Sequence, residues 1–456
     1  MFMADFKLKR GYDIPIEGQA KKTLTVLPAP PKAAIQPAEF RGLKFKLLVA
    51  EGDSVKIGTP LLKDKSNPDI KVVSPISGTV SEIVRGERRI LKEIVIENNG
   101  KNSAESIGKW TPDEAKDLDV DEIKAHLLSG GMWPHIRQRP FNKIANPSDT
   151  PRDIFVSGFD TAPLAADPAF MLKDEKDAFQ TGLNVLRRLT DGKVHLSLNN
   201  RLPSQPAVFS NTKGVEKHFF SGPHPAGNVG VQIHHIAPLQ KDDLVWYVQP
   251  YAVALIGKFF LNGFFQNERI IALAGGSLDE RIYVKTIVGA PINTLIPEKS
   301  ILDENVRFIT GNVLTGSKTT YSGYSTFYDY LITVIPEAKK ERKLLGYFRT
   351  GLNLPSFSKT FLSSLLSGKK FKMDTPLYGS HRAFILNEEY ERVLPMNIMP
   401  VQLMKSILAE DFEEMENLGI LELDEEDVAL CSYIDLSKND FGLILRKGLD
   451  LIERER

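Results

Sequence analysis

Val49-Ala50-Glu51-Gly52-Asp53-Ser54-Val55-Lys56-Ile57-Gly58-Thr59-Pro60-Leu61, followed by Ser74-Pro75-Ile76-Ser77-Gly78-Thr79-Val80, decides the fold of the N-terminal region. Glu51-Gly52-Asp53 and Ser77-Gly78 are turn chemistry, because glycine takes positive φ at little steric cost. Short β-branched pieces lie between these turns, which is the pattern of small strands. The layout predicts a lipoyl/biotinyl-like barrel-sandwich over residues 1–100, ending at Asn98-Asn99-Gly100. Asp64-Lys65-Ser66 lies between the two halves of that barrel, where a lipoyl domain carries its modified lysine. Here Ser66-Asn67-Pro68-Asp69 interrupts the hairpin, since proline cannot donate to a ladder. Lys65 therefore reads as part of a surface turn.

Downstream, the pattern changes. Thr111, Pro112 and Glu114 form a capping box, and Val120, Ile123, Leu127 and Leu128 give one helical stripe that ends at Gly130-Gly131. Ile154-Phe155-Val156 reads as a strand, Phe179, Leu183, Leu186 and Leu189 as a helix face, and Val194-His195-Leu196-Ser197-Leu198 as a strand. This alternation predicts an α/β domain with a mixed or parallel sheet over 101–260. Strands at 269–274 and 282–288 predict a small β-rich domain over 261–340. The remainder, 341–456, reads as helical. Pro400 opens a stripe of Leu403, Ile407, Leu408, Phe412, Met415 and Leu418 that Gly419 stops. Ser437 with Asp440 caps a last helix carrying Phe441, Ile444, Leu445, Leu449 and Ile452.

Composition narrows the function. The 456 residues suffice for several domains, and 42% hydrophobic with 25% charged content is ordinary for a globular chain. Lys+Arg and Asp+Glu are both 58, which gives no support for binding nucleic acid or an anionic membrane surface. The longest apolar run, residues 252–265, contains Lys258, Asn262 and Gly263 and falls short of the roughly 20 residues a membrane span needs. Met1-Phe2-Met3-Ala4-Asp5 lacks a basic-then-apolar leader pattern, so a cytoplasmic protein is expected. The single cysteine, Cys431, excludes an intramolecular disulfide, a four-cysteine iron–sulfur cluster and a cysteine-rich zinc site. It reads as a small buried residue rather than a nucleophile. His234-His235, taken as strand residues, would point to opposite faces, and no metal-ligand spacing is evident.

Three segments bear on ligands. Residues 311–319, Gly-Asn-Val-Leu-Thr-Gly-Ser-Lys-Thr, approach a phosphate loop but hold one residue too many between Gly316 and Lys318. They read as a β-turn. Residues 222–230 have glycines at the wrong spacing for a dinucleotide loop, and Pro223 and Pro225 withhold amides that would bind pyrophosphate. Residues 130–143 place Trp133, His135, Arg137, Arg139, Phe141 and Lys143 between prolines. Aromatic faces beside hydrogen-bond donors suit a flat, carbonyl-bearing ligand such as a quinone. The same residues also suit an ordered inter-domain linker whose aromatics pack in a crevice. The basic stretches 339–343 and 369–372 and the acidic stretch 410–427 read as solvated faces.

Several blocks then carry a resemblance. Lys7-Leu8-Lys9-Arg10-Gly11-Tyr12-Asp13-Ile14-Pro15-Ile16-Glu17-Gly18 resembles the start of the A subunit of Na+-translocating NADH:quinone oxidoreductases. So do residues 74–80, Arg85-Gly86-Glu87-Arg88-Arg89, and residues 136–143, 160–168, 221–227, 313–316 and 442–455, in collinear order over nearly the whole chain. The C subunit of Rnf-type ferredoxin:NAD oxidoreductases shares the barrel-sandwich opening, but its cysteine-rich motifs and Gly-rich flavin/NADH loop are missing here. The resemblance implies an α/β multidomain fold: the barrel-sandwich, a domain related to the flavin-binding fold of NADH dehydrogenases without its cofactor loop, a β-grasp-like domain and a helical tail. It implies a peripheral subunit on the cytoplasmic side of the bacterial inner membrane, not catalytic in isolation and with no cofactor of its own. Its partners would be a membrane-embedded flavoprotein and the other subunits, which carry NAD, FAD, FMN and iron–sulfur centres. Its substrate would be ubiquinone or menaquinone. Trp133, His135, Arg137, Arg139, Phe141 and Lys143 are the expected quinone contacts, with Phe40 and Arg41 at the barrel edge. Two readings outside redox chemistry stay open: a lipoyl or biotinyl carrier, and a non-catalytic ligand-binding adaptor.

Overall fold

The computed structural model describes residues 5–338, 351–366, 368–377, 380–384 and 388–455. The basic stretch 339–343 lies outside them. The N-terminal turns and strands build two small sheets. One orders Lys32–Ile35, Leu91–Asn98, Gly78–Arg85 and Ser54–Val55, and the other Phe45–Leu47, Pro60–Asp64 and Lys71–Val73. Leu61, Leu62, Val72, Val73, Val80, Ile94 and Ile96 are buried in this region. Gly52 and Gly58 both take the positive φ that the turns require. Lys65 follows the strand Pro60–Asp64 in a loop organised by Asp64, whose carboxylate accepts from the amides of Lys44, Ser66 and Asn67.

Two early strands leave this region. Asp5–Lys7 adds in parallel to the edge of the central sheet, and Leu24–Val26 to the edge of a six-stranded sheet. The central sheet runs Asp5–Lys7, Glu216–Ser221, Val194–Asn199, Ile154–Ser157, Val245–Tyr247, Arg137–Arg139 and Lys143–Ile144. The first five run parallel, and Arg137–Arg139 pairs antiparallel with both of its neighbours. Alternation places Phe155 on the face covered by Val229–Ile236, and Ile154 and Val156 on the face covered by Lys176–Arg188. His234 and His235 thus sit on a helix, not a strand: His234 meets Glu422 at 2.7 Å and His235 the Pro395 carbonyl at 2.8 Å.

The helices Lys176–Arg188 and Pro250–Asn262 pack at backbone contact, because glycines face each other. A Cβ on Gly257 would lie 1.8 Å from the Ala178 carbonyl oxygen, and one on Gly182 2.0 Å from that of Val253. Gly257→Ala gains up to about 1 kcal/mol of helix propensity but forces two backbones apart, which costs about 1–3 kcal/mol or more. Net destabilisation is expected, read as a lower urea midpoint by circular dichroism. An unchanged or higher midpoint would contradict the packing.

The six-stranded sheet runs Ser317–Thr319, Val306–Thr310, Leu331–Pro336, Glu268–Ala274, Tyr283–Ile287 and Leu24–Val26. The tail contains Pro400–Ala409, Phe412–Asn417, Ala429–Ile434 and Phe441–Glu455. Three expected elements differ. The helix after Thr111 divides into Glu114–Asp117 and Val120–Ser129, with a second capping box at Asp119 and Glu122. The stripe from Pro400 breaks at Glu410, which takes φ 58°, and Asp411 caps the next helix. Asp440 accepts from the amide of Leu443 at the start of the last helix, whereas Ser437 is buried in the preceding turn with its amide on Asp435. Cys431 is buried on Ala429–Ile434, and burial pushes its thiol up. Among the described residues no helix is long and apolar enough to cross a membrane.

Candidate functional site

A cavity of about 720 Å³ opens where the central sheet, the six-stranded sheet and the tail meet. Ser157 and Tyr247, at the carboxyl ends of two parallel strands, form part of its wall. This is the crevice in which open α/β sheets hold ligands. Glu39 and Arg41, Arg137 and Asn142, Tyr328 to Tyr330, and Asp424 to Glu426 complete the polar lining.

Charge is layered around it. Arg41 makes a two-pronged pair with Glu425 at 2.7 and 2.8 Å. Arg446 reaches Asp424 and Glu425, each at 2.7 Å, and the Phe141 carbonyl at 3.1 Å. Arg139 lies deeper, 1% exposed, 2.8 Å from Glu426 and 3.6 Å from both Asp424 and Asp427. Burial would raise Glu425, but the hydrogen bonds from Arg41 and Arg446 outweigh it and hold the group well below the usual range. Glu426 is pushed up to about 8 by burial, against the opposing pull of Arg139. Asp427 rises to about 6 for the same reasons. Glu39 reaches about 8 because burial outweighs its bond from the Phe327 amide. Burial also raises Asp160 and Asp329.

Arg137 is the cation best placed toward the space. Its guanidinium lies 5.0 Å from the Tyr328 ring centroid and 5.9 Å from that of Tyr247, and it donates to the Asn142 carbonyl at 2.9 Å. Tyr247 in turn bonds the Asn142 side chain, which bonds Asp424.

The expected residues separate into two groups. Arg41 and Arg137 line the cavity. Trp133 is fully buried, with its indole N–H on the Ala145 carbonyl at 2.7 Å. His135 stacks on Phe327 at 4.6 Å, and burial and the nearby Arg269 hold its imidazole neutral. Phe40 packs 5.0 Å from the Phe327 ring. Arg139 holds the tail acids. Phe141 is buried at φ 74°, and Lys143 pairs with Glu453 on the last helix. These side chains form the wall behind the cavity and its bond to the tail. Sequence reasoning missed Glu39, Tyr328, Tyr330 and the four carboxylates 424–427. The run 424–427 passed for solvated tail, although Leu423 and Val428-Ala429-Leu430 bracket it with apolar residues, a signal of burial.

The loop 222–230 and the turn 311–319 have defined arrangements. Asn228 precedes Val229–Ile236 and donates to the Glu426 carbonyl at 3.1 Å and to Asp427 at 3.3 Å. A Cβ on Gly230 would lie 2.3 Å from Asp427 Oδ2, so the Asp427 carboxylate rests on the first turn of that helix. In 311–319, Asn312 closes a turn by accepting from the amides of Leu314 and Thr315, and Lys318 extends toward Glu337 at 3.4 Å. Among the described residues one group has the make-up of a metal-ligand set. His195, Glu216 and His218 bring ligand atoms within 4.8 Å of one another. They come from two paired strands, which linear spacing does not reveal.

Comparison with known proteins is consistent along the chain. The family described as the NqrA N-terminal barrel-sandwich hybrid domain matches residues 6–99, the NqrA second alpha/beta domain residues 118–265, and the NQRA C-terminal domain residues 270–321. The A subunit of the Na(+)-translocating NADH-quinone reductase from Yersinia pseudotuberculosis serotype I is 38% identical over 450 residues, 98% of this chain and 99% of its own. The protein of the same name from Marinomonas sp. (strain MWYL1) is 38% identical over 451 residues, 99% of this chain and all of its own. That from Neisseria meningitidis serogroup B is 36% identical over 452 residues, 98% and 99% respectively.

Proposed function

The chain belongs to the family of A subunits of Na+-translocating NADH-quinone reductases, and from that premise we propose that it holds a quinone headgroup in the cavity between its sheets and tail. As one component of that reductase it works with other subunits. In this reading they supply NAD, FAD, FMN and iron–sulfur chemistry, a membrane-embedded flavoprotein is the docking partner, and the chain lies peripherally on the cytoplasmic side of the inner membrane. Ubiquinone or menaquinone is the ligand class.

The observation that carries the reading is the composition of the cavity wall: Arg137 over tyrosine rings, facing carboxyl groups that burial protonates near neutral pH. A quinone is planar and uncharged, and its two carbonyl oxygens accept hydrogen bonds. Tyr328 offers a ring face and Arg137 a fixed cationic donor. Glu39 and Glu426, when protonated, donate as well, and quinone reduction takes up protons together with electrons. Phosphate-bearing cofactors suit the site poorly. Pro223 and Pro225 lack amide donors, and the Asp427 carboxylate packs against Gly230 in the first turn of the helix Val229–Ile236, placing negative charge beside that helix end. The expected contacts therefore reduce to Arg41 and Arg137 as direct partners, with Trp133, His135, Phe40, Arg139, Phe141 and Lys143 shaping the wall.

Calorimetric titration of the full chain with a short-chain ubiquinone analogue tests this. Arg137→Ala should weaken binding by roughly 10- to 100-fold, the effect of losing a charge-assisted hydrogen bond. Lys143→Ala should change it little. Equal affinity in the wild type and Arg137→Ala, or no binding by the wild type, would refute the site.

A further inference from the structure

We propose that His195, His218 and Glu216 form a Zn2+ site, with Asp153 orienting His195, at the amino ends of the central sheet's strands, away from the cavity. The register builds it. His195 pairs with Glu216 across two parallel strands, and Glu216 and His218, two residues apart, project from one face. His195 Nδ1 shares a hydrogen bond with His218 Nε2 at 2.9 Å, which the ion would replace, and lies 3.9 Å from Glu216 Oε2. Ligand atoms about 2.1 Å from a tetrahedral zinc stand about 3.4 Å apart, so these two separations bracket the required spacing.

The surroundings fit a metal centre. Asp153 Oδ1 lies 3.4 Å from His195 Nε2, the far ring nitrogen, and also accepts the Lys193 amide at 3.0 Å. A carboxylate behind the distal nitrogen is the arrangement that fixes a ligating imidazole's tautomer and leaves the near nitrogen's lone pair facing the metal. Phe155 stacks on His195 at 4.7 Å, and Phe6 lies 6.3 Å from His218, so the imidazoles sit among aromatics. His195 is 5% and His218 8% exposed, and His218 Nδ1 has no hydrogen-bond partner among the described residues. Glu216 is partly exposed and provides the entry path. Lys193 pairs with its Oε1 at 2.5 Å and leaves Oε2 for the metal. Arg152 engages Asp153 at 3.0 Å and does not face the ligand atoms.

Two imidazoles and one carboxylate select a borderline cation over Mg2+ or Ca2+, which prefer all-oxygen shells. Strands order these residues at their amino ends, whereas the cavity lies beyond their carboxyl ends. The ion therefore ties neighbouring strands together and takes no part in quinone chemistry.

The test uses the full chain, stripped with EDTA and desalted, then titrated with Zn2+ against a chromophoric chelator. One equivalent should bind tightly. Asp153→Asn should weaken it about 10- to 100-fold, the range for a lost outer-shell partner, and His218→Gln more. Glu216→Gln, at a partly exposed position compatible with folding, should also weaken it at least tenfold. Loading with Co2+ should give visible absorption of a tetrahedral centre that Glu216→Gln alters. Absence of stoichiometric binding, affinity unchanged in Glu216→Gln, or equal competition by Mg2+ would each overturn the proposal.

Discussion

Replacing Arg139 by Leu is expected to cost about 3–5 kcal/mol and to release the tail from the sheets. Arg139 is 1% exposed and faces Asp424, Glu426 and Asp427. Removing it leaves the buried Asp424 and Asp427 carboxylates without that cation and the Glu426 carboxyl without its donor, which is worse than never having had the pair. The loss should be visible as early exchange of amides in Phe441–Glu455 and a lower urea midpoint. Combining the change with Asp427→Asn should restore part of the stability, because that orphaned charge goes too. A cost below about 1 kcal/mol would show that water or rearrangement satisfies the acids.

Stability should also fall as pH rises from about 6.5 to 8.5. Glu39 and Glu426 sit near 8 in the folded chain, above the ordinary 4.5. Between those values the folded state holds protons that the unfolded state has released, so their stabilising contribution disappears as pH passes 8. The loss is roughly 2 kcal/mol per group over that window. On the acid side buried imidazoles oppose this trend. Burial lowers His126 and His224 from 6.5 to about 4, so unfolding takes up protons there below about pH 6.5 and offsets the gain from the carboxyls. The dependence is therefore steepest on the alkaline side. Denaturation midpoints measured across pH check it, and Glu39→Gln and Glu426→Gln should each flatten the alkaline limb. A wild-type midpoint that holds level or climbs up to pH 8.5 would rule this out.

Much of the architecture was legible because its signals are local. Turn glycines such as Gly58 mark the barrel, and the alternation from Ile154 to Leu198 marks the central sheet. What escaped depends on partners distant in sequence. Glu410 looks like any helical glutamate, yet the chain turns there so that Asp411 can cap a new helix. The carboxylates 424–427 look like solvent-facing acids until Arg41, Arg139 and Arg446, remote in the chain, close around them. His195 and His218 meet only through strand pairing. For the site, the aromatic and cationic character of residues 130–143 was evident, but not which side of the wall each would face. That depends on the tail, which takes up Arg139 and Lys143 and leaves Arg137 turned to the space.

Asp427 touches the first turn of the helix Val229–Ile236 and takes a bond from the Asn228 side chain, so one residue of the tail is latched to the start of a helix of the central domain. Whatever loosens that latch loosens the tail, and whatever steadies the tail holds the start of the helix in place. The two are one linked equilibrium, in which a change at either end is felt equally at the other.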